Sequence, residues 1–448
     1  MVKSLVKKPV VAGVSAAVCI ALFFLFPFAL KLKLALCLSL LVLALWATSA
    51  VDTTVSSVFY LFATLALGLA PAKTIFHFPL TQNFYLILLS YLLTEGVIQS
   101  GVAGLFAQKV MAKVATTPVR LVFFSYLAGL LLVFFIPQPF PRVILLAAFY
   151  RTFFAGQQLP EKSKQVLYFS IFTASTFTAM FFLNGDTLLN FVVVELSGAT
   201  IGWGEWALYM SVPSLVICVA TFFLFLLVFR KELKGVAFQK AEAAPGRKPL
   251  DGRQRRVLAA CTIIFVGFLT QDLHHLPAAV VMLIGLPFAF TGPRSLLRVN
   301  WKLLIFLTAS FSIGGVLGAT GAAELLVQGM AKLMPSGNRL LQLTMVIVIV
   351  VALNFVLGSA VTTVSVVLPT VAQLGVFPPQ SVVLALFIYT VVNMKYLLPF
   401  HHGTILVGAG EGLFPNSMVV KYGLVLTLLT FIVVLFVCMP WWQLMGLC

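Results

Sequence analysis

Two cations stand inside apolar stretches of this 448-residue chain: Arg142, in the run from Pro118 to Phe154, and Lys395, close to the end of the run that reaches Leu398. A cation in an apolar span costs roughly 3 kcal/mol on insertion scales unless it is paired or used, so each is a candidate for holding an anion. Each also has a plainer reading. Arg142 could pair with Asp186 to lock two elements together, and Lys395 could lie near a helix end and snorkel to water. The polar groups available beside them are Gln138 in the first stretch, then Asn184, Asp186, Thr187 and Asn190, and in the second half of the chain Ser359, Thr362, Thr363, His401, His402 and Thr404. Amides, hydroxyls and imidazoles of this kind can hydrogen-bond an oxyanion, and a histidine beside it can also carry a proton. His401 and His402 have no third ligand at metal spacing and make a weak metal site. Glu95 and Glu195 read as structural carboxylates rather than proton carriers.

The elements that must position these groups are transmembrane helices. The chain is 61% hydrophobic and 9% charged, whereas soluble domains are about a quarter charged. Apolar runs of about 18 residues or more, enough to cross a hydrocarbon core as a helix, recur along its length. Alternating ten-residue segments, the mark of a membrane barrel, are absent. The formal charge of +17 does not indicate a nucleic-acid partner, because the basic residues sit in loops. Nine of them, from Arg230 to Arg256, share one mid-chain linker. The six cysteines lie in or at the ends of apolar runs without paired spacing, so neither disulfides nor a metal cluster is expected. No cofactor is expected beyond a coupling ion, sodium or a proton.

Hydropathy places helices near 9–28, 33–48, 54–70 and 82–100, the first being an extra N-terminal span that resembles a signal peptide without a cleavage site. The stretch 118–154 is broken by Pro137, Pro139 and Pro141 and cannot be one straight helix. It is read as a re-entrant hairpin, which survives at membrane depth only around an interior site. A helix near 165–196 is interrupted at Asn184, Gly185 and Asp186, and another spans about 206–229. After the linker come helices near 257–271, 277–291 and 301–319, and a second interrupted stretch at 339–374. Then follow a helix near 379–398 that breaks from Pro399 to Thr404 and a last helix near 418–438.

The order of events repeats, and so do residues. Ser100, Gly101, Leu105 and Gln108 match Thr320, Gly321, Leu325 and Gln328, about 220 positions on. The expected fold is therefore an all-α polytopic membrane protein of about 11 transmembrane helices plus two re-entrant hairpins. It divides into an extra helix at 1–30, a first repeat at 31–229, a basic cytoplasmic linker at 230–256 and a second repeat at 257–448. Five helices and one hairpin per repeat place the second copy upside down relative to the first. With the N-terminus in the cytoplasm, the cytoplasmic loops carry most of the Lys and Arg residues, although Lys31, Lys33, Lys73, Lys332 and Arg339 are exceptions. A multi-pass protein of the inner (plasma) membrane follows. Two hairpins and two broken helices meeting near the midplane would aim their half-helix N-termini at one point, which suits an anion.

At these residues the chain resembles the divalent anion:sodium symporter (DASS) family of the ion transporter superfamily. Asn300 and Trp301 with the small residues Gly314, Gly315 and Gly321 resemble the family's Asn-Trp helix and the turn after it. Trp203, Glu205, Trp206 and Pro213 resemble the segment after its first broken span. Leu398, Pro399 and the Gly-rich stretch from Gly408 to Gly410 resemble its second break. The resemblance implies a homodimer moving di- or tricarboxylates or sulfate by an elevator-type movement. It also implies Ser-Asn-Thr motifs at the hairpin tips that hold substrate and sodium, so that a sodium ion would sit near Gln138, Asn184 and Ser359. Here the tips read Pro137-Gln138-Pro139 and Ser359-Ala360-Val361, which removes oxygen ligands that a hard cation needs and weighs against sodium coupling. Arg142, and with it Lys395, would then supply fixed positive charge in place of sodium, by exchange or proton coupling.

The leading expectation is a secondary transporter of small anions, not an enzyme. The alternative is a membrane-embedded enzyme that uses His401 or His402 with Asp186 on a lipid-linked substrate; movement of solute against its conversion in sealed vesicles separates the two. A passive channel would show neither saturation nor counterflow.

Overall fold

The computed structural model describes residues 27–448 apart from 49–50, 103–115, 135, 137–138, 187–188, 199–200, 239–248, 358–359, 379–380 and 448, together with residues 13, 17, 23 and 24. The expected first helix at 9–28 thus lies almost wholly outside the described residues. Every regular element among the described residues is helical. Among the described residues, three helices are long and apolar enough to cross a membrane alone, Trp203–Val228, Trp301–Ala319 and Asn416–Leu444.

The first half opens with α1 (Leu30–Thr48) and α2 (Thr53–Ala66). Asp52 starts α2 by accepting hydrogen bonds from the N–H groups of Thr54 and Val55, which would otherwise have no partner. After a short turn at Ala72–Ile75 comes α3 (Gln82–Ser100), then the pair α4 (Pro118–Leu132) and α5 (Pro139–Ala155). Thr117 caps α4 and Pro118 opens it, a position where the missing proline N–H costs nothing. The break between α4 and α5 falls where the prolines cluster. The interrupted helix follows as α6 (Glu161–Thr178) and α7 (Leu189–Ser197), joined by a 3₁₀ turn at Leu183–Asp186, and α8 (Trp203–Val228) ends the half.

The second half runs α9 (Gly252–Leu269), α10 (Ala278–Gly285), α11 (Trp301–Ala319) and α12 (Ala322–Ala331). It continues with the pair α13 (Arg339–Leu357) and α14 (Ala360–Ala372), the broken helix α15 (Val382–Asn393) and α16 (Gly403–Gly410), and α17 (Asn416–Leu444), which has a π-helical stretch at Val434–Cys438. Two expectations need correcting. The linker does not reach 256, because Asp251 and Gln254 form a reciprocal capping box that starts α9 at Gly252 and draws Arg253, Arg255 and Arg256 into its first turns. In addition, α12 fills part of the segment left without a helix between 301–319 and the interrupted stretch at 339–374; it is short and carries Glu324 and Gln328, which hides it from a search for long apolar runs.

The same contacts are made twice. Helix α2 packs on α11 as α10 packs on α3; α11 packs on α14 as α3 packs on α5; and α7 packs on α14 as α16 packs on α5. In each of these last pairs, the far piece of one broken helix touches the second arm of the other half's helix pair. That exchange of partners brings both breaks to one place in the interior.

Candidate functional site

Four helix beginnings surround a small cavity of about 30 Å³. Pro139 and Phe140 come from the start of α5, and Asp186 and Leu189 from the start of α7. Ala360 and Val361 start α14, and His402, Gly403 and Thr404 start α16. Phe306 and Leu307 of α11 close one wall. Each helix start presents the positive end of its dipole and N–H groups that have no partner within its own helix, although in α5 the prolines at 139 and 141 leave only the Phe140 N–H among the first three residues. The cavity therefore favours an anion through backbone alone. Its volume admits a water molecule or two, so a carboxylate substrate requires the walls to part. The halves meet tightly here: a Cβ on Gly403 would lie 2.5 Å from the Phe140 ring, so only glycine lets α16 begin against the tip of α5.

Arg142 lies one turn into α5 from Pro139 and is fully buried. Its Nη2 donates to the carbonyl oxygen of Gly185 at 2.6 Å, inside the 3₁₀ break, while Nε and Nη1 have no partner among the described residues. Asp186 is near enough to Arg142 and Tyr389 to interact with both electrostatically, and its Oδ1 accepts from the N–H of Leu189 at 3.2 Å, capping α7. The arginine thus reaches the break by a backbone carbonyl. That carbonyl is exposed by the tight turn, and Gly185 is obligatory in it: a Cβ there would come within 2.1 Å of the Ala179 carbonyl oxygen.

Asn184 and Asn190 are placed to hold the break rather than to touch the cavity. The Asn184 amide oxygen accepts from the Trp203 indole N–H at 2.9 Å, and Trp203 stacks on Phe182. Asn190 Nδ2 donates to the carbonyls of Phe182 and Leu183, both at 3.1 Å, replacing the helical bonds that the interruption removes.

In the second half Lys395 is fully buried, not snorkelling. Its ammonium donates to the Val351 carbonyl and to Asn354 Oδ1, both at 2.9 Å. Asn354 in turn donates from Nδ2 to Thr363 Oγ1 at 2.7 Å, so one chain of bonds ties the α15 break to both arms of the α13–α14 pair. His401 turns its Nδ1 to the N–H groups of Leu397 and Leu398 and caps the break. His402 lines the cavity; its Nδ1 lies 2.9 Å from Thr404 Oγ1 and its Nε2 3.4 Å from Asn393 Oδ1, while Thr404 meets Thr176 of α6 at 3.1 Å.

The structure thus brings Asp186, His402 and Thr404 to the cavity wall, puts Arg142 beside it, and assigns Asn184, Asn190, Thr363, Lys395 and His401 to the scaffold of the breaks. Gln138, Thr187 and Ser359, and the side chain of Thr362, lie outside the described residues. Asn354, Thr176 and Asn393 are additional polar groups of this network. Asn354 is an amide isolated in an apolar helix, which is the signal that could have singled it out. Glu95 forms an ion pair with Arg298, as a structural carboxylate should; the side chain of Glu195 is outside the described residues. Among the described residues no three His, Cys, Asp or Glu side chains gather as a metal site requires.

A family model described as citrate transporter, CitMHS, matches residues 41–391, more than three quarters of the chain. The match takes in both helix pairs and the first broken helix. No curated protein matches the chain.

Proposed function

The chain belongs to the CitMHS citrate transporter family, and from that premise we propose that it is a secondary active transporter of citrate-like di- and tricarboxylates working by alternating access. The observation that carries this reading is the cavity bounded by four helix N-termini with the buried, incompletely paired Arg142 beside it. A small electropositive pocket suits an anion with several oxygens, because each free N–H group and each guanidinium edge can meet one.

The recurrence of contacts between the halves supports two inverted units of five spans and one re-entrant hairpin each, about 11 spans in all. In this arrangement the helix pairs α4–α5 and α13–α14 travel with the broken helices past α2, α3, α10 and α11, an elevator-type movement, and the protein is a homodimer as in the DASS family. Sidedness is supported by three ion pairs. Glu95 with Arg298, Glu232 with Lys421, and Arg151 with Glu411 each join residues that the charge bias puts on the cytoplasmic face of an inner membrane.

Uptake of radiolabelled citrate, succinate, malate and sulfate into sealed proteoliposomes tests the proposal, with and without a sodium gradient. Saturable uptake of one of the carboxylates is expected. Chemical conversion of the label without its movement would replace the transporter with an enzyme.

A further inference from the structure

We propose that the chain carries a second anion site, an antechamber on the outer face where Lys73 and His77 hold a carboxylate before it reaches the cavity of helix starts. The inference rests on the reading of the chain as a carboxylate transporter and adds a place where the substrate waits. A wider cavity of about 450 Å³ lies between the turn at Ala72–Ile75, α7 and α11. That volume is in the usual range for small-molecule pockets, whereas the cavity of about 30 Å³ takes no carboxylate until its walls part. Lys73, Thr74 and His77 bring polar side chains to the wider cavity, and no carboxylate among the described residues lines it. Lys73 and His77 are exposed, and their side chains make no hydrogen bond or ion pair with the described residues. Their donors are free for a ligand, and an ammonium with no opposing charge raises the local concentration of anions.

Both cavities lie on one seam. Leu189, Val192 and Leu196 follow one face of α7 at helical spacing; the first lines the small cavity and the other two the wide one. Opposite them, Leu307 of α11 lines the small cavity, while Phe311 and Gly314 line the wide one. The two sites are therefore about two helical turns apart, roughly 10 Å. In the elevator-type movement this seam is where a travelling element passes a standing one, so parting α7 from α11 joins the cavities. The cationic turn is held over the seam by close packing: a Cβ on Gly315 would lie 2.8 Å from Thr74 Cγ2, and Phe78 stacks on Phe311 with ring centroids 4.6 Å apart. Arg298, just before α11, pairs with Glu95 at the end that the charge bias assigns to the cytoplasm. Gly314 and Gly315, near the other end of α11, then face outward. Lys73 stands there against the charge bias. Topology gives no reason for a cation in that loop; capture of an anion does.

The test is saturation-transfer NMR of citrate with the purified full-length chain in detergent, beside radiolabelled citrate uptake into proteoliposomes. Citrate should still bind Arg142→Gln protein, whose central site has lost its guanidinium. That binding should weaken about tenfold when Lys73→Gln is added, the factor for one charge-assisted hydrogen bond, and about threefold when His77→Ala is added instead. Lys73→Arg in the same background should restore it. In uptake, Lys73→Gln alone should raise KM about tenfold with turnover within about twofold of the parent, the split expected of a group that captures substrate. Absence of citrate binding to Arg142→Gln protein, binding there that Lys73→Gln leaves unchanged, or an unchanged KM in Lys73→Gln would overturn the antechamber and leave the transporter reading standing. Lys73-dependent binding by a protein that takes up none of citrate, succinate and malate would uphold the anion site and overturn the transporter reading.

Discussion

Each half of the molecule fastens its helix pair to a helix break with one buried cation, and the two halves do so with the parts reversed. In the first half the cation belongs to the pair: Arg142 of α5 donates to the Gly185 carbonyl within the break. In the second it belongs to the break: Lys395 donates to Val351 and Asn354 of α13. The outcome differs as well. Lys395 has a second acceptor, and Asn354 hands the connection on to Thr363, so that clamp is closed on itself. Arg142 keeps two nitrogens without hydrogen-bond partners among the described residues, beside the cavity. An ammonium is compact and can be enclosed by two or three oxygens, while a guanidinium fork needs more acceptors than one carbonyl provides. Of two similar fastenings, one has spare capacity for a ligand and the other does not.

Substitutions can break this distinction or sharpen it. The largest effect on transport is expected from Arg142→Gln, which should lower carboxylate uptake by about 100-fold and also lower the melting temperature in detergent, since the bond to Gly185 and the attraction to the buried Asp186 are both lost. A protein that transports normally after this change would erase the difference between the halves. Gly185→Ala should be next, through stability: the Cβ would press on the Ala179 carbonyl, an overpacking cost of about 3 kcal/mol, seen as poor recovery of folded protein by size-exclusion chromatography. Lys395→Met should cost about 1–3 kcal/mol because it strands the oxygens of Val351 and Asn354. Its KM should stay within about threefold of the parent, as expected for a group that positions others. A KM effect at Lys395 as large as that at Arg142 would make both cations ligands. Trp203→Phe should be mildest, removing one hydrogen bond to Asn184 while keeping the stacking on Phe182, worth about 1 kcal/mol and readable as a small drop in melting temperature.

Much of this arrangement is legible in the sequence, because the forces that set it act locally. The helices expected at 82–100 and 301–319 are found at Gln82–Ser100 and Trp301–Ala319, bounded by Gly101 in a left-handed turn and by the Asn300 cap. The break before Pro139 follows from proline alone. What escapes a reading of side chains is any bond whose acceptor is backbone. Asp186 looks like the natural partner of Arg142, yet the hydrogen bond goes to the neighbouring carbonyl, because the 3₁₀ turn frees it. Asn354 escapes for another reason: its partner lies 41 residues away, and no spacing rule links the two. The start of α9 was legible in Asp251 and Gln254, but three arginines in six residues masked it as linker.

The four helix starts around the cavity carry one more consequence. Their contribution comes from peptide groups, which every sequence possesses, so the preference for negative charge does not depend on particular letters at the tips. Ala360-Val361 can stand where a polar motif would be expected and still present the N–H donors of α14, while Pro139-Phe140-Pro141 keeps the Phe140 N–H and the dipole of α5. Side chains at these positions are then free to set the size and shape of the guest. A scaffold of this kind can change its cargo by ordinary substitution without first inventing a new way to attract it.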